Sequence, residues 1–153
     1  MKKIILYITT IFWMIVIYIF SSQNGIKSIT ISMKIVDVVR KILYPDFNKL
    51  DTITQNEIIN NLNIYIRKGA HFFEYAILCL LIFLSLKTIT KKKEAYIIPP
   101  VYCFLFALSD EFHQGHISGR VMALSDVLID TFGALFVILL IVLFNIVRRK
   151  KNV

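Results

Sequence analysis

Three stretches of the chain combine side chains whose types and spacing could grip an anion or move a proton. Residues 67–75 read Arg-Lys-Gly-Ala-His-Phe-Phe-Glu-Tyr, residues 109–120 read Ser-Asp-Glu-Phe-His-Gln-Gly-His-Ile-Ser-Gly-Arg, and Asp126 and Asp130 follow shortly after. His71 and Glu74 are three apart, Asp110, His113 and Gln114 three and four apart, and Asp126 and Asp130 four apart, so on helices each set shares one face. A histidine changes charge near neutral pH. His71 or His113 is therefore a candidate general acid or base, with Glu111 or Glu74 as orienting carboxylate or alternative base and Arg120 set against developing negative charge. The same groups could recognise a ligand without reacting. Arg120 would grip phosphate as a planar fork and Lys68 as a point charge, while Asp110, Gln114, Asp126 and Asp130 orient them or contact sugar hydroxyls.

The donors of His71, Glu74, Asp110, Glu111 and His113 would also suit zinc, or by their oxygens alone magnesium. Their spacings match no named metal site, and Glu111 and His113 fall on different faces of a continuing helix, so no metal ligand is assigned and the cofactor stays open. A purely structural alternative pairs Lys68 with Glu74 and Arg120 with Asp126. Cys79 and Cys103 fall inside apolar runs and read as packing residues. The chain has no Cys-x-x-Cys pair, phosphate-cradling glycine loop or nucleotide fingerprint.

The elements that must carry these residues are apolar. Of 153 residues 57% are hydrophobic, and the mean hydropathy of +0.68 is too high for an ordinary soluble domain. Roughly 20 apolar residues make one helical span, and four runs qualify, over about 4–20, 70–86, 95–108 (with Pro99 and Pro100 inside) and 121–147. A signal peptide is the rival reading of the first run, but the residues after Phe20 lack the small-x-small cleavage pattern. The expectation is one domain over 1–153, an all-α integral membrane four-helix bundle with a short extracytoplasmic helical segment at 21–69. That segment reads as two short helices. In the first, Ile31, Ile35, Val38, Val39 and Ile42 form an apolar stripe opposite Lys34, Asp37 and Lys41, suited to lying on a membrane surface, and Pro45 stops it. In the second, Thr54 and Glu57 have capping-box spacing ahead of Ile58, Ile59, Leu62, Tyr65 and Ile66.

Charge then orients the bundle, because Lys and Arg gather on the cytoplasmic side. With both termini cytoplasmic, Lys2, Lys3, Lys87, Lys91 to Lys93 and Arg148 to Lys151 lie inside against one acid, Glu94. Every candidate site residue then lands at the outer membrane edge, from three separate segments. Ionisable groups at membrane depth are costly and mark working sites by default. The net charge of +8 therefore reports topology and anionic lipid, and nucleic acid is excluded as a partner. A transporter is disfavoured as well, since the inner halves of the spans offer no polar path.

Taken together, Arg67-Lys68-x-x-His71-Phe72-x-Glu74-Tyr75, Asp110-Glu111-x-x-Gln114, Gly119-Arg120 and Asp126-x3-Asp130-x2-Gly133-Ala134, with Phe20-Ser21-Ser22-Gln23 closing the first span, resemble the VanZ-like family of small bacterial membrane proteins. Ser118 stands where that family would have proline and Asp130 where asparagine is common. The resemblance implies a multi-pass protein of the bacterial cell membrane associated with low-level resistance to teicoplanin, a lipoglycopeptide aimed at cell-wall precursors. The partner it suggests is a membrane lipid or lipid-linked cell-wall precursor, with a homo-oligomer left open. The alternative is a membrane enzyme that hydrolyses or transfers a group on such a lipid-linked substrate.

Overall fold

The structure is a computed structural model that describes residues 2–90 and 92–151. Lys91, counted above among the basic residues, lies outside them. Five helices follow in order: α1 (Lys2–Ser21), α2 (Gly25–Leu43), α3 (Thr52–Lys87), α4 (Glu94–Gln114) and α5 (Leu124–Lys151), with a single 3-10 turn at Phe47–Lys49. No strand occurs among the described residues. α1, α3, α4 and α5 are long and apolar enough to cross a membrane, and the chain is an all-helical membrane protein built as a four-helix bundle.

Two boundaries differ from the sequence expectation. The second short helix is not separate: α3 runs unbroken for 36 residues, through Gly69. One interior glycine costs about 1 kcal/mol, and no proline interrupts the run. Its N-cap is Asp51, whose carboxylate accepts from the Thr54 backbone N–H at 3.0 Å. The Thr54 hydroxyl is spent on the same carboxylate, at 2.7 Å, so the capping box read at Thr54 and Glu57 is not the start of the helix. α4 also outruns its expected end at 108 and reaches Gln114, which makes Asp110, Glu111, His113 and Gln114 residues of one continuous helix.

α3 is the hub and touches every other helix. Its crossing with α5 is close, because Gly133 meets the Phe72 carbonyl where a Cβ would collide. Small side chains let membrane helices approach in this way, and Cys79, Cys103, Ala107 and Ala134 do so around Tyr75 and Leu78 in the core. Both cysteines are buried and free.

α2 starts at Asn24, whose side chain accepts from the Lys27 backbone N–H at 2.8 Å. It docks on α3 through Ser32 and Val36, with the Ser32 hydroxyl donating to Asn63 Oδ1 at 2.6 Å. Val38 and Ile42 of the predicted stripe point away from the bundle.

The spans alternate in direction, so the molecule has two distinct ends. Thr10 against Ser85 and Asn145 against Tyr96 join helices at one end, where Lys2, Lys3, Lys87, Arg148 and Arg149 gather. Ser22 against His113 and Arg120 against Phe20 join them at the other.

Candidate functional site

Helix register delivers the candidate residues to the second end. Arg67, His71 and Glu74 recur at i, i+4 and i+7 on α3, which aims all three along one face. α4 supplies Asp110, Glu111 and Gln114 from its last turns, and α5 supplies Asp126 and Asp130 from its first two. Counting back from Lys87 at 1.5 Å per residue, His71 lies about 24 Å along α3, just inside a hydrocarbon layer about 30 Å thick.

Between these helices lies a cavity of about 230 Å³ whose polar wall holds Arg67, His71, Glu74, Asp110, Gln114 and Arg120. The rest of its lining mixes Ile17 and Phe20 of α1 and Ile31 and Ile35 of α2 with Ser21, Gln23, Ser28 and Ser32. A smaller hollow of about 140 Å³ shares Arg67 and His71 and adds Lys68 and Asp126.

Arg120 works mainly as a staple. Its Nε donates to the Gln23 carbonyl at 2.9 Å, one terminal nitrogen donates to the Phe20 carbonyl at 3.0 Å, and the other to Gln114 Oε1. Gln114 in turn donates to Asp110 Oδ2 at 2.9 Å. The guanidinium so ties itself to the end of α1, sharing the Phe20 carbonyl with the Gln23 backbone N–H, and two of its five N–H groups remain for a ligand. Burial first, then the charge of Arg67, push the Arg120 guanidinium down from its ordinary value: two cations share one cavity. Arg67 itself makes no ion pair or side-chain hydrogen bond among the described residues. It belonged to the sequence motif without being singled out, although its i, i+4, i+7 spacing with His71 and Glu74 was readable.

The acids are arranged differently. Asp130 is 0% exposed, and neither carboxylate oxygen has a hydrogen-bond donor. Its Oδ1 lies 3.4 Å from His71 Nδ1, near enough to attract but without hydrogen-bond geometry. Glu111 is 1% exposed; its Oε2 accepts from the Ala123 backbone N–H at 2.8 Å, while Oε1 is buried without a partner. Leaving a buried polar group unpaired costs about 1–3 kcal/mol, and more when it is charged. His71, Glu111 and Asp126 each offer one ligand atom, all within 4.8 Å of one another. One imidazole nitrogen and two carboxylate oxygens form a donor set that suits zinc or another divalent ion, and the Asp130 carboxylate lies 3.4 Å from Nδ1 of the same ring. Asp126 thus replaces Glu74, Asp110 and His113 in the donor group read from sequence.

His113 is the candidate that the fold takes away. Two positions after Glu111 on a continuing helix, it points about 200° around the axis. Its ring stacks on Tyr18 with centroids 5.0 Å apart, and Nε2 lies 3.1 Å from the Ser22 hydroxyl. It lines a separate cavity of about 410 Å³. The structural alternative also fails in its particulars: neither Lys68 with Glu74 nor Arg120 with Asp126 is an ion pair among the described residues, where His71 with Asp130 is the one pair inside the bundle.

A family model described as VanZ/LLP1 matches residues 5–145, which include every residue of the site. No curated protein and no solved structure matches the chain.

Proposed function

The chain belongs to the VanZ/LLP1 family, and from that premise we propose that it recognises the phosphate of an anionic lipid or lipid-linked cell-wall precursor in the 230 Å³ cavity. The observation that carries the reading is a cavity that brings Arg67 and Arg120, with the acids Glu74 and Asp110 beside them, together with isoleucines and hydroxyls of α1 and α2. A lipid head group with the start of its chain presents charge, hydroxyls and hydrocarbon in the same small volume. An anion there would also relieve the repulsion between the two guanidiniums. In this reading the basic end is cytoplasmic by its charge, the site faces outward in a bacterial cell membrane, and α2 lies in the outer interface with its outward stripe in lipid. Low-level teicoplanin tolerance would follow from a change in the surface lipids or precursors that the drug meets. Expression in a teicoplanin-sensitive Gram-positive host tests this: the native chain should raise tolerance, and Arg67→Gln at matched membrane levels should lose it. Equal protection by the two would remove the cavity from the explanation.

A second reading is favoured by the buried carboxylate oxygens of Glu111 and Asp130 that take no hydrogen bond. Here the same end is catalytic: His71, Glu111 and Asp126 would hold a divalent ion, which would supply an activated water for hydrolysis of a phosphoryl bond of the lipid-linked substrate, and Arg67 and Arg120 would stabilise the charge that develops. Equilibrium dialysis of the purified protein against zinc and manganese should give one bound ion per chain, lost in Glu111→Gln. Absence of stoichiometric binding would sink this reading and leave the first intact.

A further inference from the structure

At the opposite end, α3, α4 and α5 leave a notch of about 700 Å³ that the site described above does not use. Its rim carries Lys87, Arg148 and Arg149, one cation from α3 and two from α5. Lys87 is held in place by aromatic faces, its Nζ 4.9 Å from the Tyr96 ring centroid and 5.8 Å from that of Phe83. Asn145 donates to the Tyr96 hydroxyl at 3.3 Å and so ties α5 to α4 across the notch. Glu94, the one acid at this end, does not line it, and none of the three cations has an acidic partner among the described residues. Below the rim the walls turn apolar, with Leu84, Leu140 and Phe144 facing outward along the spans.

We infer that this notch is a binding site for an anionic phospholipid, whose phosphate sits among Lys87, Arg148 and Arg149 while its acyl chains run down the apolar wall. Three unpaired cations above a hydrocarbon surface complement that one ligand class, since a free phosphate would leave the wall bare and a zwitterionic lipid would bring a second cation to the rim. Tyr96 and Asn145 offer neutral hydrogen-bonding groups for the glycerol or head-group hydroxyls. The inference does not depend on what the other cavity binds, nor on which leaflet this end occupies.

The test is native mass spectrometry of the full chain in detergent, with dioleoyl phosphatidylglycerol, dioleoyl phosphatidylcholine and free glycerol phosphate as probes. Phosphatidylglycerol should be retained at low stoichiometry and phosphatidylcholine should not. Lys87→Gln and Arg149→Gln should each weaken retention about five-fold and together about 25-fold, the change that about 1 kcal/mol per basic side chain gives. Arg149→Lys should bind as the native chain does, and the losses in Lys87→Gln and Arg149→Gln should recur in an Arg67→Gln background, which separates this site from the other cavity. Equal retention of the two lipids, undiminished binding by the folded double variant, or displacement by glycerol phosphate would each overturn the assignment.

Discussion

The two ends of the bundle hold charge in opposite ways. At the basic end Arg148 and Arg149 stand exposed on the last turns of α5, and Lys87 rests on aromatic rings. At the other end Asp110, Glu111, Gln114 and Asp130 are buried, and Glu111 and Asp130 keep oxygens with no donor. Exposed cations at a membrane edge cost little and orient the chain. Buried carboxylates cost several kcal/mol unless something binds them, so a fold that places them together at α3, α4 and α5 sacrifices stability there. The difference teaches that the basic end carries its charge at little cost, while the acidic end holds buried oxygens that the fold alone leaves without donors.

The sharpest way to break the contrast is to separate α3 from α5 where the acids meet. Gly133→Val puts a branched side chain against the Phe72 carbonyl and should cost about 3 kcal/mol, read as loss of folded protein in a detergent thermal melt. Leu143→Phe on an exposed face near the basic end should stay within about 0.5 kcal/mol. Next in size is a gain. Asp130→Val removes a buried carboxylate that takes no hydrogen bond and should stabilise the purified protein by about 1–3 kcal/mol; a loss of stability would mean that its attraction to His71 is structural. Smaller again, Arg148→Gln should shift the melt by no more than about 0.5 kcal/mol, its effect falling on lipid retention.

The smallest effect is a pH dependence at the start of α3. Hydrogen bonds from the Thr54 hydroxyl and backbone N–H hold the Asp51 carboxyl below its ordinary value of 3.8. Its contribution to the helix end is therefore complete above that value and lost as pH falls through the lowered one. Amide exchange in the first turn of α3 should rise at acid pH in the native chain and stay flat in Asp51→Asn, which keeps an acceptor that does not titrate.

Much of the acidic end was legible because single-helix spacing fixes a face. His71 with Glu74, Asp110 with Gln114 and Asp126 with Asp130 were read from spacing alone, as were the four apolar runs. What could not be read were the relations between helices. Asp126 joins His71 and Glu111 through the crossing of α5 with α3 near Gly133, and Arg120 turns back to α1, where the carbonyls of Phe20 and Gln23 accept from it, rather than to Asp126. The continuity of α3 was missed for a local reason. Thr54 and Glu57 imitate a helix start, and Asp51 outcompetes them by capping three residues earlier.

That continuity makes α3 a depth gauge. At 1.5 Å per residue its 36 residues extend about 54 Å, well beyond one hydrocarbon layer. Asn63, where Ser32 of α2 is fastened, lies about 12 Å along the same rod from His71. α2 is thus fastened at a set height above the acids. When the bilayer thins or thickens, α2 and the acid cluster must rise, sink or tilt as one body, so the level at which the cavity opens is calibrated by a count of residues.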